Sequence, residues 1–233
     1  MGLFDGLLHT FDDRQYYDEH RVALDHHVGK FYSGDEVKVL TEIIVLDFRI
    51  DIILIESKQN MFNVIITSGM SSMAMTADED IPNWDNLKFA ELMMCVPNRI
   101  NSKNLGNGGE YEWIIAMLKQ TAKFPHYENT WFGVGHAVQG NIDCSPYDPN
   151  TEFVGGLILP SVTFDKDFTQ VQVGENMINL YSFFPLYKNE LEFKFANDYN
   201  AILDILIEKN ISEVFLPDRE NLLNLHKKKR FKF

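Results

Sequence analysis

The stretch FRIDIILIESKQNMFNVIITSGM, residues 48–70, constrains the fold of this chain more than any other. Read with a period of two, Phe48, Ile50, Ile52 and Leu54 point one way and Arg49, Asp51, Ile53 and Ile55 the other. One face is wholly apolar and the second is mixed, which suits a strand covered on one side and half covered on the other. Ser57-Lys58-Gln59-Asn60 is a polar interruption of hairpin length, and MFNVIIT returns as the partner strand. A chain carrying this hairpin must build a sheet and then cover it.

The remaining elements supply the cover. Residues 15–32 predict a helix with Val22, Leu24, Val28 and Phe31 on one side, stopped by Ser33-Gly34-Asp35. Val37, Val39 and then Ile43 to Val45 form a β-like run, and AELMMCV is a buried strand ended by Pro97. Tyr111, Ile114, Ile115, Leu118 and Ala122 recur at helical spacing, and Pro125 closes that helix. NTWFGVGHAVQG and FVGGLILPS read as strands or strand fragments around a loop at 143–150, and MINLYSFFPLY is a strand rich in aromatics. A last helix over 189–209 turns Tyr199, Ile202, Leu203 and Leu206 inward, and SEVFLP reads as a short closing strand. This order is unlike regular βαβ winding. It predicts an α+β fold whose mainly antiparallel mixed sheet is flanked by helices.

The same reading divides the chain into three parts: an N-terminal helical segment packed on the domain, 1–35; one domain, 36–220; and a basic C-terminal tail, 221–233. The first part opens with Leu3, Phe4, Leu7, Leu8 and Phe11 at amphipathic spacing, and the last contains Lys227-Lys228-Lys229-Arg230.

Charge then narrows the function. Lys plus Arg is 21 and Asp plus Glu is 34, a formal charge of −13. Such a surface repels polyphosphate and anionic lipid and attracts basic protein, so nucleic acid and membrane are not expected partners. No run approaches the about 18 apolar residues of a membrane span, and the N-terminus lacks the basic and apolar regions of a secretory signal. Cys95 and Cys144 have no metal-type spacing. A cytoplasmic protein without cofactor or metal is the expectation.

Catalytic patterns are sparse. The hydroxyl-rich turn Thr67-Ser68-Gly69-Met70-Ser71 lacks the G-x-S-x-G of a nucleophile elbow. It predicts a sharp turn in which Ser68, Gly69 and Ser71 satisfy backbone groups. The histidines form no H-E-x-x-H or H-x-H, and His26 and His27 on a helix diverge by about 100°. His136, in a strand flanked by glycine and beside Trp131, is either a half-buried imidazole bonded to a neighbouring loop or a contact in a recognition groove. Glu190 and Glu192 read as solvated positions flanking a core stripe. No Walker or G-x-G-x-x-G pattern follows a strand.

Taken in order, these segments resemble the Suppressor of fused domain family. The T-S-G-M-S turn after NVIITSGMSSMAM, then AELMMCVP, match that family's strand, turn and E-L-M-M strand. EWIIAMLKQTAKFPHYENTWFGVGHAV is similar to its helix and glycine-histidine strand. FVGGLILP, FFPLYKNELEF and DFRIDIILIE match further landmarks, so the likeness runs from about residue 36 to 220. The resemblance implies a binding module rather than an enzyme. Animal members grip a peptide of a zinc-finger transcription factor by strand addition, and single-domain bacterial members are implied to neutralise polymorphic toxins. It therefore implies an immunity protein that binds a toxin encoded nearby, with Ser68, Met70, Trp131 and His136 as groove candidates by motif position. Two alternatives remain open: a metal-dependent or serine hydrolase using Thr67, Ser68 and His136, and a regulatory adaptor in a larger assembly.

Overall fold

A computed structural model describes residues 17–41, 48–77, 80–106 and 108–223. The expected hairpin is present. β2 (Asp51–Glu56) and β3 (Phe62–Ser68) pair antiparallel, with Ile53 opposite Ile66. β1 (Glu36–Leu40) adds to the outside of β2, and β4 (Phe89–Pro97) pairs antiparallel with β3. β8 (Asn176–Tyr187) then runs parallel to β4, the one parallel pairing among the described strands. The far edge of β8 is shared. Its first half pairs with β7 (Gln170–Val173) and its second half with β6 (Phe153–Leu159), beyond which β5 (Ala137–Gln139) forms the sheet edge. The sheet is thus mixed and mostly antiparallel, as the sequence predicts.

Burial on both faces explains the near-continuous apolar runs. Ile52, Leu54, Ile65, Leu92 and Met94 face α2 (Glu112–Tyr127), which contributes Trp113, Ile114, Met117 and Leu118. Ile53, Ile55, Val64, Ile66 and Met93 face α1 (Asp18–Phe31), through Leu24 and Val28. β2 is therefore fully covered on its second face, where the sequence predicted half cover, and Asp51 is buried with it. A short α3 (Lys166–Thr169) adds Phe168 to the α1 side. At the β6–β8 end a third cluster packs under α4 (Lys188–Ala196) and α5 (Tyr199–Glu208), centred on Leu186, Leu191, Ile202 and Leu206.

Several expectations are corrected. On α1 the inner residues are His20, Leu24 and Val28, whereas Val22 and Phe31 are exposed. α2 continues through Pro125 to Tyr127. A proline so near the end forfeits one bond, to the Thr121 carbonyl, and the Glu128 amide still donates to the Phe124 carbonyl at 3.0 Å. The last helix is two helices. Asp198 breaks it by capping α5, its carboxylate accepting from the Ala201 amide at 3.0 Å. Of the strand or strand fragment predicted around Trp131, the fragment Ala137–Gln139 forms, and SEVFLP is reduced to one bridge between Cys95 and Val214. The run Ile43–Val45, residues 1–16 of the N-terminal segment and most of the basic tail lie outside the described residues.

Candidate functional site

The turn after β3 is built around a carboxylate that its own sequence does not contain. Glu91, on neighbouring β4, is completely buried beneath it. One of its oxygens accepts from the amides of Gly69 (2.8 Å) and Ser71 (3.0 Å) and from the Ser71 hydroxyl (2.7 Å). The other accepts from the Thr67 hydroxyl at 2.7 Å and the Met70 amide at 3.3 Å. Burial pushes the Glu91 carboxyl above its ordinary pKa, and the surrounding donors oppose that push.

Two histidines hold the turn's opposite side. His20 Nδ1 donates to the Ser71 carbonyl at 2.7 Å, and His126 Nε2 donates to the Met70 carbonyl at 2.8 Å. The Tyr17 amide donates to the Ser72 carbonyl at 2.7 Å, and Arg21 reaches Ser72 Oγ, the Asp51 carboxylate and the Arg49 carbonyl. Gly69 has φ +133°, and a Cβ there would overlap the Arg21 guanidinium and the Arg49 carbonyl. The turn is sharp, as expected. Its backbone donors, however, are satisfied by Glu91, while the Ser71 and Thr67 hydroxyls donate to that same carboxylate.

The four groove candidates separate into two pairs. Ser68 is 4% exposed and Met70 is 0% exposed, so neither presents its side chain to a partner. Trp131 and His136 are half-buried, and their rings meet edge-to-face at 4.4 Å. His136 lies one residue before β5, in irregular chain, with Nδ1 donating to the Trp131 carbonyl at 3.3 Å. Burial lowers its pKa, which favours the neutral ring. No hydrogen bond joins Ser68 or Thr67 to His136 among the described residues, and no cluster there of His, Cys, Asp and Glu could hold a metal.

Around Trp131 and His136 the structure assembles a surface that the sequence concealed. The Trp84 ring stands perpendicular to Trp131 at 5.9 Å. On the other side Gly135, at φ +88°, admits the Tyr199 ring, whose Cγ would lie 3.0 Å from a Cβ at that position. Tyr199 begins α5 and lines a cleft of about 500 Å³ that continues along Leu203 and Ile207 towards Val162. Ile207 is 67% exposed and Val162 85% exposed, so the cleft mouth is apolar. Within the cleft Ser182 donates to Glu213, whose second oxygen accepts from Ser161 Oγ and from the amides of Val162 and Thr163. Edge strand β5 leaves this region and pairs only with β6 among the described strands.

A second buried carboxylate corrects the reading of Glu190 as solvated. Glu190 is 1% exposed and forms a bidentate pair with Arg219, at 2.8 and 2.5 Å. It also accepts from the Leu222 amide at 2.6 Å. The guanidinium lies over the rings of Phe153, Phe184 and Tyr187, about 5 Å from each centroid. Glu192 is exposed, as predicted.

Comparisons with known proteins agree with this architecture. The model of the Suppressor of fused protein (SUFU) family matches residues 47–220. No curated protein matches the sequence. Among solved structures, a SUFU homologue from Neisseria gonorrhoeae FA 1090 superposes with a TM-score of 0.63 at 13% identity, over 88% of this chain and 97% of that one. A chain of the Sufu-Fu complex gives a TM-score of 0.61 at 12% identity, over 93% and 96%. Drosophila Suppressor of Fused gives 0.58 at 12% identity, with 88% of this chain spanning 51% of that longer one. The sequence landmarks, the mixed sheet and the family match together make this chain a member of the Suppressor of fused family.

Proposed function

We propose that this chain is a non-catalytic protein-binding module whose contact face combines the edge of β5, the Trp131–His136 pair and the α5 cleft. The observation that carries the reading is the continuity of that face: an apolar cleft mouth at Ile207 and Val162 leads through Tyr199 and Gly135 to His136 and edge strand β5, which pairs only with β6 among the described strands. Strand addition there would satisfy the edge backbone, while Ile207 and Trp131 would take apolar side chains of the partner. Ser68 and Met70, buried at the end of β3, present no side chain to it. A Suppressor of fused relative is seen in complex with a protein, Fu, which favours a protein as partner here.

The partner we infer is a basic toxin encoded next to this chain, neutralised in the cytoplasm by direct binding. A charge of −13 gives the acidic complement that accelerates capture of a basic protein. Co-expression with the neighbouring gene product, followed by size-exclusion chromatography and a growth assay, tests this. A stable complex with restored growth is expected. Separate elution with growth still arrested contradicts the toxin assignment.

A further inference from the structure

We propose that the α5 cleft is a socket for a single lysine side chain of the partner, its stem on the apolar walls and its ammonium at Glu213. This rests on the cleft being part of the contact face, and it adds the chemistry that the face selects. One wall is Leu203 and Leu206 of α5 with Ile211, and the other is Leu159 and Phe184 of the sheet. Among the described residues lining the cleft, Glu213 alone carries a charge. The chain beside it is pinned to β4, where the Phe215 amide donates to the Cys95 carbonyl at 2.8 Å. The carboxylate is therefore held in place at the cleft.

The two oxygens of Glu213 are not equivalent. One accepts from the Val162 amide (2.9 Å), the Thr163 amide (2.8 Å) and Ser161 Oγ (3.0 Å), which fill its acceptor capacity. Among the described residues the other accepts only from the Ser182 hydroxyl. That oxygen keeps a lone pair, and so does Ser182 Oγ, whose proton is committed to Glu213. Both residues line the cleft. A purely apolar side chain would bury these two acceptors without a donor, at a cost that a cation avoids. Lysine fits better than arginine. A guanidinium takes a carboxylate through both oxygens, and here one is already filled, whereas an ammonium is a point charge that needs one. Its aliphatic stem suits the leucine and phenylalanine walls, and a net charge of −13 draws a cation towards them.

Titrations of the full chain with small mimics, followed on its leucine and isoleucine methyl NMR signals, test the proposal. n-Hexylamine is expected to shift Leu203, Leu206 and Ile211 and to bind about tenfold more tightly than 1-hexanol. Glu213→Gln keeps an oxygen for the two amides and is expected to remove the preference for the amine while leaving the affinity for hexanol unchanged. Equal affinity for amine and alcohol in the wild-type chain would make the cleft a merely apolar socket and overturn the proposal, whether or not the variant folds. Tighter binding of n-butylguanidine would make arginine the occupant and overturn it too. So would amine binding that appears only in Lys227→Gln/Lys228→Gln/Lys229→Gln, which would give the cleft to the chain's own tail. The contact face has a separate test: partner binding lost in Trp131→Ala/Ile207→Asp upholds that face even where the amine fails to bind.

Discussion

Ser71 gives both its hydroxyl and its amide to a single oxygen of Glu91, at 2.7 and 3.0 Å, from a strand twenty residues further along the chain. This double contact turns the most distinctive motif of the sequence into a structural joint. The carboxylate replaces the ladder partners that the backbone loses where β3 ends. Replacing Glu91 with Gln puts an amide NH2 against donors and is expected to cost about 2–4 kcal/mol. Urea unfolding monitored by tryptophan fluorescence measures the loss, and an unchanged midpoint would show that the carboxylate is dispensable.

Gly69 should be equally intolerant. A methyl group would meet the Arg21 guanidinium and the Arg49 carbonyl at φ +133°. Gly69→Ala is expected to destabilise by about 2–4 kcal/mol. Thermal unfolding beside Gly29→Ala, a helical position with open space around it, provides the contrast, since that change should be neutral or stabilising.

Acidification should weaken the latch between α1 and this turn. His20 is fully buried; its Nδ1–H donates to Ser71, and its Nε2 accepts from Asn176 Nδ2 at 3.2 Å. Burial lowers its pKa, so the unfolded chain binds a proton more readily than the folded one. The stability this contributes is present above the unfolded value, about 6.5, and is lost as pH falls from there to the folded pKa. Unfolding free energies of wild type and His20→Asn, measured between pH 7.5 and 5, should converge as pH falls. Parallel curves would assign the acid sensitivity elsewhere.

The Arg219–Glu190 pair anchors the last described residues to α4. Arg219→Met leaves a buried carboxylate without its cation and is expected to cost about 3–5 kcal/mol. Adding Glu190→Gln should recover part of the loss, as in any coupled pair. A double variant no more stable than Arg219→Met would mean that the guanidinium acts through its ring contacts alone.

The sheet was legible in the sequence because alternation is local. Phe48, Ile50, Ile52 and Leu54 take one face and Ile53 and Ile55 the other, as period two requires. The two glutamates were not, because their partners are remote. Glu91 in an apolar run and Glu190 beside Leu191 carry no local sign of the turn or the arginine, 29 residues away, that receives them. Asp198 could have been recognised, since a capping aspartate before an apolar helical stripe is a start signal. The proposed contact face was only half visible. Trp131 and His136 stood out by motif position, whereas Tyr199, Ile207 and Val162 join them only because α5 folds back over Gly135.

Affinity for the neighbouring gene's product tests the central claim most directly. Isothermal titration should give a one-to-one complex that Trp131→Ala/Ile207→Asp weakens at least a hundredfold, about 3 kcal/mol, with the variant still folded at the temperature of the titration. Ser68→Ala should bind as wild type does, and the partner should be recovered chemically intact. Undiminished affinity in the double variant, or a partner returned cleaved or modified in a manner that needs Ser68, would contradict the account.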